Sequence, residues 1–308
     1  MATGVIEPLK DLTTRYLPHR ILGKTGESVP MLGLGTGPGG IGMADNDATS
    51  LYNRAIDLGV TYIDTAPSYG NAHRQLSEIM RCRRNEVFLA TKTQVDTKKE
   101  ALKILETSLR DLQTDHADLV YVHHMGERNV EKLLGPEGAL EGLREAQKRG
   151  WTRFIGITAH NRPWKVEEIL KKAQIDVIMV ALNPGDLHTY NFQGKVLDLA
   201  RKQNVGVAAM KVYGGAEKME YRFSKGEDGR ISAMESAGNS EHELALRYAL
   251  SLTGITTAVI GVYRETELLQ NIEWVRRFQP ISKGERDHLI STGRILSDKW
   301  STHFGPVK

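Results

Sequence analysis

The chain of 308 residues carries a single cysteine, Cys82, which excludes an internal disulfide framework and any zinc or iron–sulfur site built on several thiolates. Such usage suits a reducing compartment, and the expected location is the cytoplasm. No apolar run approaches the roughly 20 residues needed to cross a bilayer, and the opening MATGVIEPLKDLTTRYLPHR lacks the unbroken apolar core of a secretory signal. No membrane partner is expected. An excess of one charge is also missing: 41 basic against 38 acidic side chains leave a net of +3, too near neutral to point to nucleic acid. The basic cluster Arg81, Arg83, Arg84 closes a predicted helix, where cations complement the dipole, and is expected on a solvated face. Small molecules remain as the partner class.

What the chain does have is alternation. From Met31 onward, short apolar runs alternate with amphipathic segments in eight pairs, the runs being MLGLG, VTYID, EVFLATK, ADLVYVH, RFIGIT, DVIMVAL, VGVAAMK and TAVIGV. Their near-continuous Val, Ile, Leu and Ala content marks parallel strands covered on both faces. Between them, Leu51, Ala55 and Leu58 share a helical face with Asn46 or Asp47 as start signal and Gly59 as stop, and Leu140, Leu143 and Ala146 precede Gly150. Ser240 and Glu243 form a capping-box pattern ahead of a helix over 244–250. Eight such units with no linker predict an α/β fold, a (β/α)8 TIM barrel, as one domain over 1–308. Framing it are an N-terminal extension over 1–19, a hairpin around Lys24 to Glu27 that plugs one end, and a terminal helix from about Ser282 to Leu296. A polar loop over 214–240 follows strand seven, and a loop of that length in a compact domain points to function.

In such a barrel the ligand side is the C-terminal end of the strands. In TYIDTAPSYGN, strand two ends at Asp64 with Tyr69 beyond it; strand three ends at Lys92, and strand four at His123 followed by His124. With strands about 4.8 Å apart, these side chains meet around one pocket. Together they make sense as a proton-donating site. A phenol is a sluggish acid at neutral pH, and an ammonium within about 4 to 6 Å lowers its pKa by roughly 1 to 3 units. A carboxylate holds the ammonium charged, and an imidazole orients a polar oxygen. The proton's natural recipient is a carbonyl oxygen that becomes an alkoxide when hydride reaches its carbon.

YIDTAPSYGN, VFLATK and DLVYVH, in that order, with LGLGT near the start and GVYRETELLQN near the end, resemble the aldo-keto reductase family over nearly the whole chain. The resemblance implies an NAD(P)H-dependent enzyme acting on a small-molecule carbonyl or alcohol. Tyr69 would be its general acid-base, Lys92 the pKa modifier, Asp64 the lysine's partner and His123 the carbonyl-orienting group, with His124 as a pocket wall. It also implies a nicotinamide dinucleotide across the barrel mouth. Gly35, Thr36 and Asp64 would border the nicotinamide. Thr158, followed by Ala159 where relatives hold the carboxamide with a Ser-Asn pair, keeps a hydroxyl; Met179 stands where glutamine is usual, with Asn183 near. Met210 and Lys211 end strand seven where many relatives place a tyrosine against the ring. At the adenosine end Gly261 and Asn271 align, putting Tyr263 where arginine or serine is common and Glu267 where glutamine or arginine is common. Arg264 could pair a 2′-phosphate and Glu267 could accept from a free ribose hydroxyl; NADP(H) is favoured over NAD(H). Met125, Trp164, Tyr190, Trp300 and Phe304 are candidate apolar walls for the substrate.

Other readings compete. GTGPGG, Gly35 to Gly40, satisfies G-x-G-x-x-G and Asp64 follows, as in a doubly wound nucleotide domain, although IGMADN separates the third glycine from the next helix. Tyr221 and Lys225 match a Y-x-x-x-K spacing by chance. Lys92 alone could serve a Schiff-base lyase or aldolase, and a non-catalytic dinucleotide-binding regulator, resembling the potassium-channel β subunits, is a further alternative. No metal is expected: consecutive residues of a strand, such as His123 and His124, face opposite sides and do not easily share an ion.

Overall fold

The eight apolar runs become eight parallel strands: β1 Leu32–Gly35, β2 Tyr62–Asp64, β3 Phe88–Thr93, β4 Ala117–Val122, β5 Thr152–Ala159, β6 Val177–Ala181, β7 Gly206–Met210 and β8 Ile255–Ile260. Each pairs with its successor and β8 closes on β1, giving a barrel. A computed structural model describes residues 17–215, 233–236, 238 and 241–308. Tyr221, Lys225, Ser240, most of the 214–240 loop and all but the end of the N-terminal extension lie outside the described residues. A closed barrel removes the doubly wound alternative.

The pleat sorts the strands' side chains into two cores. Tyr62, Phe88, Ala90, Leu119, Tyr121, Val177, Met179, Ala208, Met210 and Val259 pack together inside the barrel. Their neighbours Ile63, Leu89, Val120, Ile157, Ile178 and Val207 pack outward among the helices. That division explains why no strand shows a polar alternation: both faces are dry. Beneath the mouth, the Tyr62 and Tyr121 hydroxyls hydrogen-bond at 2.8 Å. Tyr121 fits because β5 offers Gly156 opposite it, where a Cβ would collide with the tyrosine ring.

The helices that cover the barrel are α1 Asp45–Asp57, α2 Ala72–Arg83, α3 Lys98–Leu112, α4 Ala139–Lys148, α5 Pro163–Lys172, α6 Lys195–Lys202, α7 His242–Ser251 and α8 Glu265–Arg276. α3 starts on a capped end, with the Glu100 N–H donating to Thr97 Oγ1. α1 departs from its expected start. Asn46 and Asp47 fall inside its first turn and Ala44 is the cap, while the Asp45 carboxylate is held by Arg74 and Gln75 of α2. The glycines of GTGPGG also form a short helix, Gly37–Gly42, rather than a bare loop.

At the N-terminal end of the barrel, His19–Ile21 pairs antiparallel with Ser28–Pro30. This hairpin inserts Leu22 and Val29 into the interior cluster. The terminal helix, α9, spans Lys283–Trp300, longer than expected, and opens on a capping box between Ser282 and Glu285. Arg84 also departs from expectation: instead of a solvated end it meets Asp118 at 2.8 Å with its side chain 12% exposed.

Candidate active site

The two-residue step that points Tyr62, Ala90 and Tyr121 inward carries Asp64, Lys92 and His123 to the same side one layer higher. Lys92 Nζ donates to Asp64 Oδ2 at 2.6 Å and to the Thr65 carbonyl at 2.9 Å. It lies 4.6 Å from the centroid of the Tyr69 ring, and Tyr69 meets His123 edge to face with centroids 6.1 Å apart. The four residues therefore converge. Lys92 is only 1% exposed, so the ammonium sits behind the phenol rather than in the cavity.

Burial pushes the Asp64 carboxyl up and the Lys92 amine down, and the close contact between them opposes both shifts. Burial and the Lys92 charge hold His123 well below the usual imidazole range, so it is neutral. Asp64 Oδ1 and His123 Nδ1 are buried with no protein hydrogen-bond partner. Asp64 also lines a cavity at the barrel mouth, and a polar atom left in that state at a cavity wall is suited to a ligand.

A cavity of about 420 Å³ opens at the C-terminal end of the strands. Of the residues singled out by sequence, Gly35, Asp64, Tyr69, Met179, Met210, Lys211, Gly261, Tyr263, Glu267 and Asn271 line it. Thr36, Lys92, His123, Thr158 and Arg264 do not. Thr36 is fully buried and its hydroxyl donates to the Asp64 carbonyl at 3.0 Å, bracing β1 against β2. The Thr158 hydroxyl accepts from the His124 N–H at 3.1 Å, and Asn183 is spent on Asp186 and the Lys211 carbonyl. The carboxamide partners expected there thus have structural commitments of their own. Glu267 accepts from the Tyr263 N–H at 2.8 Å, and Asn271 accepts from the Tyr213 hydroxyl.

His123 and His124 do not face apart. β4 ends at Val122, His124 adopts a left-handed backbone with φ 58°, and the two rings lie 4.0 Å apart. The alternating-face rule fails because the pair lies beyond the strand. His160, Tyr213 and Trp274 also line the cavity, and sequence reasoning missed them. His160 was legible, since it stands two residues after inward Thr158; Tyr213 and Trp274 lie outside regular strands and carry no such signal.

Among the candidate walls, Met125 is core and Trp164 is 45% exposed. Trp300 Nε1 donates to the Ala233 carbonyl. The tail folds back so that the Tyr190 hydroxyl accepts from the Phe304 N–H and donates to the Gly305 carbonyl, each at 2.9 Å. This sets Phe304 5.6 Å from the His160 ring and 6.0 Å from Lys211 Nζ.

Residues 31–287 match the Aldo/keto reductase family. Over 199 residues the chain is 29% identical to a methylglyoxal reductase of Salmonella typhi, covering 63% of this chain and 71% of that one. Its fold is similar to that of an aldo-keto reductase from Bacillus halodurans in its holo form, with TM-score 0.71, 23% identity and coverage of 90% of this chain and 96% of that one. An aldo/keto reductase from Klebsiella pneumoniae, solved in complex with NADP and acetate, superposes with TM-score 0.70 at 20% identity over 89% of this chain and 95% of that one.

Proposed function

Because the chain belongs to the aldo/keto reductase family, we propose that this oxidoreductase reduces an aldehyde or ketone with NADPH and that Tyr69 supplies the proton. The observation that carries the reading is the Lys92 ammonium, 2.6 Å from Asp64 and 4.6 Å from the Tyr69 ring centroid. The reduced dihydronicotinamide ring, when bound, would supply hydride to the carbonyl carbon. Tyr69 then gives its proton to the oxygen as negative charge develops there, and the phenolate left behind is stabilised by Lys92. Asp64 holds that ammonium in place and favours its charged form. Neutral His123 has one N–H to orient the carbonyl oxygen against the phenol. Lys92 serves the phenol rather than a Schiff base, since two of its three N–H donors are committed to Asp64 and Thr65 and it does not line the cavity.

The residues present fit a dinucleotide. Gly35, Met179, Met210 and Val259 form an apolar floor of the cavity suited to a nicotinamide ring, thioethers packing well on aromatic edges. Asp64 Oδ1, buried and without a protein partner, is an acceptor for a ribose hydroxyl beside that ring. Gly261, Tyr263 and Asn271 would hold the adenosine end. The NADPH preference rests on Arg264 at the start of α8, and Glu267, already accepting from the Tyr263 N–H, is less fitted to a free ribose hydroxyl.

A panel of carbonyl compounds followed by absorbance loss of the reduced cofactor, run with both NADPH and NADH, tests the reading. Turnover is expected with at least one aldehyde. Absence of turnover on every carbonyl with either cofactor would remove it. Dinucleotide titrations on wild type and Arg264→Ala test the preference: it should shrink in the variant, and an unchanged ratio means that Arg264 is not the phosphate clamp.

A further inference from the structure

Lys211, after β7, and His124, after β4, both hold left-handed backbones, with φ 56° and 58°. Non-glycine residues pay for that conformation in strain, and it collects at functional sites. His124 Nδ1 lies 3.1 Å from Nδ1 of His160, with the rings 4.6 Å apart. Burial keeps both imidazoles below their usual range, His124 at about 4, so both are neutral. One ring then donates and the other accepts, which leaves the pair a single further N–H, on Nε2 of the accepting ring. Lys211 and His160 line the same cavity. The Lys211 ammonium stands over Phe304 at 6.0 Å, and Phe304 in turn adjoins His160. The lysine thus reaches across the mouth toward β5. After burial, its charge is the largest influence depressing both imidazoles.

The acids of the cavity are arranged differently. Asp64 is paired with Lys92, and Glu267 accepts from the Tyr263 N–H. Glu235, on the short helix Ala233–Ser236, is exposed, and charge–charge contacts at exposed positions are weak. A cation and an N–H donor that share a cavity, with an aromatic ring between them, form a complement for anionic oxygen. We infer that the carbonyl substrate of this enzyme carries a carboxylate or phosphate group, bound by Lys211 together with the His124–His160 pair. The inference rests on the reductase reading above. It moves Lys211 from the cofactor side of the cavity, where sequence comparison put it, to the substrate side.

Matched aldehydes test it: 4-oxobutanoate against butanal and methyl 4-oxobutanoate, and glyceraldehyde 3-phosphate against glyceraldehyde, each with saturating NADPH. The anionic member of at least one set is expected to have a kcat/KM about 10- to 100-fold above its neutral partner, the worth of a charge-assisted hydrogen bond. The two sets distinguish carboxylate from phosphate. In Lys211→Asn, a residue that tolerates the left-handed backbone, the ratio should collapse toward one, while Lys211→Arg should keep most of it. Dinucleotide affinity, read by fluorescence titration, should not follow the ratio. Equal efficiency on charged and neutral aldehydes in the wild type overturns the inference alone. So does a loss of dinucleotide affinity in Lys211→Asn large enough to account for the whole effect, which would give the cation to the cofactor's phosphates. Failure to reduce any carbonyl with either cofactor sinks the reductase reading, and this inference with it.

Discussion

Among single residues, the proposed chemistry turns on a lysine that does not line the cavity. Lys92 is buried against Asp64 and beneath the Tyr69 ring, so its charge is felt undiluted by water. Tyr69→Phe removes the proposed proton donor but no buried charge. It should cost about 10² to 10⁴ in turnover while dinucleotide affinity, measured by fluorescence quenching, stays near the wild-type value; near-normal turnover would take the assignment away. Lys92→Met is a different experiment, because it strands the Asp64 carboxyl in a dry site. Breaking a buried pair from one side costs roughly 3 to 5 kcal/mol, to be read from urea denaturation. Adding Asp64→Asn should restore part of that stability without restoring activity, and additive losses in the double variant would show that the two side chains are not coupled.

At the scale of elements, the strand pleat is what delivers the chemistry. Asp64, Lys92 and His123 come from β2, from within β3 and from just beyond β4, and they share a side because each lies two residues past an inward-facing core residue. The layer beneath must be filled for the layer above to be held. Tyr121, bonded to Tyr62, occupies that space and relies on Gly156 of β5. Gly156→Ala should therefore displace Tyr121 and cost about 1 to 3 kcal/mol by overpacking, measured as a lowered urea midpoint with an unchanged slope. A neutral result would mean that the barrel interior yields there more easily than its packing suggests. Strand periodicity was legible in β2 to β4 for this reason. It misled at His124, where the strand had already ended, the backbone turned left-handed and the ring came to lie 4.0 Å from that of His123.

At the scale of the whole molecule, four histidines, His73, His123, His124 and His160, are pushed by burial to titrate below the ordinary imidazole range, His73 and His124 to about 4. The unfolded chain takes up these protons near pH 6.5, while the folded chain refuses them until about 4 at His73 and His124 and until well below the usual range at His123 and His160. Stability is thus fully present above about 6.5 and falls as the pH drops, by about 1.4 kcal/mol per pH unit for each such group; Asp64, pushed up, works in the opposite sense. Urea midpoints should hold between pH 7.5 and about 6.5 and fall from there to 4.5, and a profile flat throughout would contradict neutral buried imidazoles. The sequence by itself determined the barrel and the order of its reactive residues, since both follow from local periodicity and from side chains at strand ends. It took the folded chain to reveal that Thr36 and Thr158 are tied to the backbone, that Phe304 of the tail packs beside His160, and that Lys211 stands over that ring. Those outcomes depend on which distant groups compete for the same hydrogen bonds and the same space, and no short window of sequence contains both competitors.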